Sequence, residues 1–202
     1  MNRARMSDEI RRVALYGGSF DPVHPAHVAI ARAAVEQVGL EQVIFLPAAQ
    51  SPLKAHGPVA AGDLRVEMLE AALAGEATKW GTVSREELGR PGPSFSWQTA
   101  EQFSREGRAG TEWFWLMGVD QWQQLERWQR WEYLASLVTF LVFTREGIHP
   151  APRPGAKAVF LRGEFPGSST EVRQARRTGG DWEPLVAPGV AAVIRLEGLY
   201  LS

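Results

Sequence analysis

Short β-rich runs alternate with helical stretches along almost the whole chain, and that alternation leaves few architectures open. RVALY (Arg12–Tyr16) reads as a first strand and QVIFLP (Gln42–Pro47) as a second. WGTVS (Trp80–Ser84), EWFWLMG (Glu112–Gly118), LVTFLVF (Leu137–Phe143) and AVFLRG (Ala158–Gly163) follow as strands three to six. Between the first two lies PAHVAIARAAVEQVG, with Val28, Ala31, Val35 and Val38 on one helical stripe. Pro25 suits its first turn and Gly39 its C′ position. Asp63 is placed to cap a helix that ends near Gly75, and another is expected from about Trp97 to Glu106. Gln121–Leu137 reads as one helix with a dense aromatic set. STEVRQARRTGG and APGVAAVIRLEG supply the last two. No internal repeat or long linker interrupts the pattern. The reading is α/β: a Rossmann-like, doubly wound parallel sheet in a single domain spanning 1–202, with 1–10 a flexible N-terminal extension.

In such sheets the ligand sits beyond the C-terminal ends of the strands, where strand order reverses. The segment in that place after the first strand is GGSFDPVHPAH, Gly17–His27. It holds two of the chain's 4 histidines. Gly17 and Gly18 allow a sharp turn and close approach to a ligand. His24 and His27, three apart at a helix start, can share a face and meet phosphate oxygens there. A tight turn with a polar helix cap is the alternative for any one of these residues. A zinc site would need a third ligand that the segment lacks. Neither the Gly-x-Gly-x-x-Gly fingerprint nor the Walker loop is present, which disfavours a nicotinamide dehydrogenase and a P-loop kinase.

Composition narrows the partners. The 22 basic and 23 acidic residues give a formal charge of −1, with no basic surplus for a nucleic-acid footprint. Cysteine is absent, which excludes disulfides, thiolate metal sites and a cysteine nucleophile. The longest apolar run, Leu137–Phe143, is far too short to cross a bilayer. MNRARMSDEIRR lacks the apolar middle of a signal peptide. A cytoplasmic protein is expected, without nucleic-acid or membrane partners; a homo-oligomer stays open.

GGSFDPVHPAH resembles the Gly-Gly-x-Phe-Asp-Pro-x-His-x-Gly-His signature of nucleotidyltransferases. Among these it is most similar to the bacterial nicotinate-nucleotide adenylyltransferases. It departs at Ala26, where the family usually has glycine. GSSTEVR (Gly167–Arg173) resembles the family's Ser-Ser/Ala-Thr-x-x-Arg motif. By itself this segment also reads as a capping box with Glu171. SREELGRPGPSFSWQT (Ser84–Thr99) is similar to the loop that receives the pyridine carboxylate on backbone N–H groups, and GVDQW to the family's Gly-x-Asp. The family's Pro-Pro-His-Lys/Arg appears here as SPLK, with Leu53 at the histidine position. The motifs occur in family order over roughly residues 12–201.

The resemblance implies adenylyl transfer from ATP to nicotinate mononucleotide, giving nicotinate adenine dinucleotide and pyrophosphate in NAD biosynthesis. It implies His24, His27, Lys54 and Arg173 as catalytic residues. ATP would be bound by Gly17, Gly18, Ser19, Phe20, Gly118, Asp120, Ser168, Ser169 and Thr170, with Arg145 near the nucleotide. Phe95, Ser96, Trp97 and Trp128 would receive nicotinate mononucleotide, Trp128 by stacking on the pyridine. Mg2+ would arrive with ATP, held by no metal site of the protein. Each residue also has an ordinary reading: core packing for Trp128, a helix cap for Ser96 or Asp120, a solvated strand end for Arg145. Rival functions are the same chemistry on nicotinamide mononucleotide or another phosphorylated acceptor, a non-catalytic nucleotide-binding module, and a tryptophan-rich interaction surface.

Overall fold

The computed structural model describes residues 10–50, 52, 56–144 and 150–201. The extension expected at 1–10 falls almost wholly outside them. Six strands form one sheet: β1 (Arg12–Gly18), β2 (Gln42–Pro47), β3 (Gly81–Val83), β4 (Glu112–Gly118), β5 (Thr139–Phe143) and β6 (Ala158–Leu161). Their order is β3-β2-β1-β4-β5-β6, and every pairing is parallel. The doubly wound parallel sheet read from the alternation is therefore the observed one.

Side chains alternate across a strand, so each strand feeds two cores. On one face Ala14, Tyr16, Val43, Phe45, Leu116 and Leu141 pack with α1 (Pro25–Val38), α2 (Gly62–Ala72), α6 (Ser169–Arg177) and α7 (Pro188–Leu196). On the other, Leu15, Leu46, Trp115, Met117, Phe140 and Val142 pack with α3 (Ser96–Glu106), α4 (Val119–Gln123) and α5 (Trp131–Leu137). The order reverses between β1 and β4, and the loops leaving these two strands flank that switch point.

Several local expectations need correction. The buried face of α1 is Ala26, Ile30, Ala31 and Ala34, and the valines of the expected stripe are only partly buried at its margins. The small residues win because α1 lies close against the sheet. Asp63 does not cap α2: Ala61 is the N-cap, and Asp63 stands in the first turn, paired with Arg85. Likewise Gly118 caps α4, leaving Asp120 in its first turn, and Phe95 caps α3, not Ser96.

The largest departure is at Gln121–Leu137. It divides into α4, a 3-10 turn at Leu125–Arg127, and α5. Trp128 is extended at φ −78°, ψ 134°, and Arg130 is left-handed at φ 53°. A continuous helix would set Trp122 and Trp128 roughly 120° apart around its axis. The break lets both rings meet the sheet, Trp122 against Phe140 and Trp128 against Trp115.

Candidate active site

β1 ends in the two glycines because neighbours crowd the backbone there. A Cβ on Gly18 would lie 2.9 Å from the Phe20 ring, and one on Gly17 would lie 3.1 Å from Trp115. Phe20 itself takes φ 47° and sets its ring edge-on to Tyr16, at 5.4 Å, and to His27, at 5.0 Å. The Asp21–Pro22 peptide is cis, and the chain enters α1 with His24 as N-cap. The His24 amide donates to His27 Nδ1 at 3.2 Å. A neutral His27 therefore carries its proton on Nε2. The two imidazoles stand 3.9 Å apart, tilted by 41°. Ala26 is buried within the first turn of α1.

A second helix head meets this loop. Ser168 caps α6 by accepting the Glu171 amide at 3.1 Å. The amides of Ser169 and Thr170, at N1 and N2, have no intrahelical acceptor. Ser169 Oγ donates to the Pro22 carbonyl at 2.9 Å, and Arg173 donates to the Asp21 carbonyl at 2.6 Å and to Thr170 Oγ1 at 3.3 Å. Gly167 takes φ 110°, and a Cβ there would stand 3.6 Å from His24 Nδ1. Two positive helix ends, two imidazoles and a guanidinium thus converge, a combination suited to phosphate oxygens.

Asp21 anchors the loop from below. Its buried carboxylate accepts the Val59 amide at 2.6 Å, the Ala60 amide at 3.1 Å and the Tyr200 hydroxyl at 2.7 Å. Arg65, also buried, donates to the carbonyls of Ser19 at 2.8 Å and Ala60 at 3.1 Å. Burial lowers the pKa of Arg65, and the charge of Asp21 partly restores it. Burial raises the pKa of Tyr200, and Asp21 raises it further.

Beside this corner, at the switch point, opens a cleft of about 500 Å³. Gly17, Gly18 and Ser19 form its floor, Ser94, Phe95 and Ser96 one wall, and Gln124, Arg127, Trp128 and Gln129 the other. Trp115 lies between the walls, its ring edge-on to Trp128 at 6.3 Å. The Trp128 indole N–H is buried and meets no acceptor among the described residues.

Residues 15–175 match the cytidylyltransferase-like family. The chain is 36% identical over 203 residues to a probable nicotinate-nucleotide adenylyltransferase of Gloeobacter violaceus, covering 94% of this chain and 96% of that one. It is 35% identical over 170 residues to one of Methylacidiphilum infernorum, covering 81% and 79%. The chain belongs to the nicotinate-nucleotide adenylyltransferase family, within the cytidylyltransferase-like proteins. A nicotinic acid mononucleotide adenylyltransferase of Plasmodium falciparum, complexed with APC, shares the fold: TM-score 0.73 at 15% identity, over 94% of this chain and 97% of that one.

The family motifs do not all reach the same place. Gly17, Gly18, Ser19, Phe95, Ser96 and Trp128 line the cleft. His24 instead borders a separate groove of about 340 Å³ with Val28, Arg32 and Ala187. The Trp97 ring packs at 6.3 Å from Tyr133, away from the cleft lining. Gly118 ends β4, and Asp120 is exposed, while its neighbours Gln121 and Gln124 line the cleft. Lys54, Leu53 and Arg145 lie outside the described residues.

Sequence reasoning missed Glu87, a buried carboxyl in the cleft wall. Thr99 Oγ1 donates to it at 2.8 Å, and Arg90 reaches that same Oγ1 at 3.0 Å. Burial pushes the Glu87 carboxyl above its ordinary 4.5, while hydrogen bonds from Thr99 and Ser94 and the charge of Arg90 pull it back. Because its folded pKa is raised, the native state holds this proton longer than the unfolded chain. Stability contributed by Glu87 is therefore present below 4.5 and is lost as pH rises through the folded value. Glu87→Gln should flatten that part of the stability–pH curve. Urea unfolding of both proteins across pH 4–8 checks this, and parallel curves would refute it. One signal was available in advance: an acidic residue embedded in a Gly/Pro loop beside an expected ligand segment.

Proposed function

We propose that the protein transfers the adenylyl group of ATP to nicotinate mononucleotide, forming nicotinate adenine dinucleotide and pyrophosphate in NAD biosynthesis. The observation that carries this reading is the junction at the switch point. There the glycine turn that floors a cleft with an aromatic wall runs on into the His24–His27 helix head, against which the head of α6 docks. The Plasmodium relative was solved with APC and, separately, with NaAD.

In this reaction a 5′-phosphate oxygen of nicotinate mononucleotide attacks the α-phosphorus of ATP. A new P–O bond forms, the bond from the α-phosphorus to the bridging oxygen breaks, and pyrophosphate leaves with that electron pair. The attacking phosphate is ionised at neutral pH and needs no general base. Catalysis rests on alignment and on stabilising charge as it grows on the leaving oxygens. His24, His27, Arg173 and the amides of Ser169 and Thr170 meet the phosphates, with Lys54 assisting. Gly17, Gly18, Ser19 and Phe20 let the nucleotide approach the end of β1. Gly118, Asp120 and Arg145 border the nucleoside. Phe95, Ser96 and Trp97 offer main-chain N–H groups to the nicotinate carboxylate, and Trp128 stacks on its ring. Mg2+ travels as part of the ATP substrate, whose phosphate oxygens are the hard ligands this ion prefers. Among the described residues no helix is long and apolar enough to cross a membrane, in keeping with a cytoplasmic enzyme.

The test is pyrophosphate release with ATP and Mg2+, with nicotinate and nicotinamide mononucleotides compared side by side. Strong preference for the acid is the expected result. Equal use would remove the acid specificity, and no release with either would overturn the acceptor assignment.

A further inference from the structure

The two walls of the cleft belong to different segments. Ser94–Ser96 leads into α3, and Gln124–Gln129 precedes α5. The sheet does not join them. What joins them is a cluster of side-chain contacts centred on one cation.

Arg130 holds its guanidinium 4.2 Å from the centre of the Trp97 ring and 4.5 Å from that of Tyr133. Tyr133 Oη donates to Glu101 of α3 at 2.6 Å, and Trp97 Nε1 donates to Gln129 at 3.3 Å. The clamp therefore ties the first two turns of α3 to the turn that carries Trp128. It is held in spite of a backbone cost. Arg130 sits at φ 53°, ψ 40°, a left-handed conformation unfavourable for a residue with a Cβ. The contacts made by the guanidinium point to the reason for it.

We propose that Arg130 is a positioning residue for the pyridine-nucleotide acceptor. It sets the separation between the amides at the head of α3 and the Trp128 ring, and so fixes the width of the slot that takes the acceptor's ring. The inference rests on reading this cleft as the acceptor site. Arg130 touches neither reacting phosphate, so its effect falls on the acceptor and not on ATP.

Three variants separate the clamp from the backbone. Arg130→Gly removes the guanidinium but adopts positive φ without strain. Arg130→Ala removes the guanidinium and keeps the strain. Arg130→Lys retains a cation that can stand over an aromatic face. With ATP saturating, Arg130→Gly should raise KM for nicotinate mononucleotide roughly threefold to tenfold. KM for ATP should stay within about twofold, and the thermal midpoint should not fall. Arg130→Lys should recover part of the lost acceptor KM. An unchanged acceptor KM in Arg130→Gly overturns the proposal, as does a parallel rise in both KM values. Wild-type protein that releases no pyrophosphate with nicotinate mononucleotide overturns the functional reading, and the acceptor role of Arg130 with it.

Discussion

Replacing His27 or His24 with alanine should lower kcat by about 100- to 1,000-fold, the usual effect of deleting one preorganised donor to developing charge. The fold should lose far less. His27 Nδ1 accepts the His24 amide at the start of α1, so His27→Ala costs a capping interaction of about 0.5–2 kcal/mol. A kinetic loss equivalent to roughly 2.7–4 kcal/mol would exceed it clearly. Steady-state pyrophosphate release and thermal unfolding of the same preparations separate the two. Turnover close to wild type in both variants would remove the histidines from the catalytic assignment.

A second large effect is expected in stability. Asp21→Ala strips the acceptor from the Val59 and Ala60 amides and from the Tyr200 hydroxyl. It also takes away the carboxylate charge that offsets the burial of Arg65. Breaking a buried charged arrangement on one side costs about 3–5 kcal/mol. Tyr200→Phe removes one hydrogen bond to a charged group and should cost about 1.5–3 kcal/mol. Denaturant midpoints at constant m-value measure both. A loss under about 1 kcal/mol in Asp21→Ala would show that water replaces the carboxylate at little cost.

The sheet was legible because short continuous apolar runs alternating with helical stretches are local signals, and β2 and β4 fall where the sequence places them. The histidine motif was legible because its residues are contiguous and β1 positions them. The broken helix was not. Nothing in ERWQRW marks Arg130 as left-handed, since the conformation is maintained by Trp97 and Tyr133, distant or displaced in sequence. Glu87 escaped notice for a related reason: its burial depends on Ser94 and Thr99 folding back over it. Likewise Asp21 stood in the sequence only as one residue of GGSFDPVHPAH, and its role as an anchor emerged only with partners from Val59 to Tyr200.

That last partner bears on how the molecule is made. Tyr200 follows Asp21 by 179 positions, yet its hydroxyl completes the set of donors to that carboxylate. At ribosomal speeds the interval is on the order of 10–40 seconds. Throughout that time β1 and its glycine turn exist in the nascent chain, while Arg173 and Tyr200 have still to arrive. The turn after β1 is thus among the first segments synthesised, and its anchoring contacts are among the last to be supplied. A loop anchored in this way stays incomplete until synthesis has passed α7.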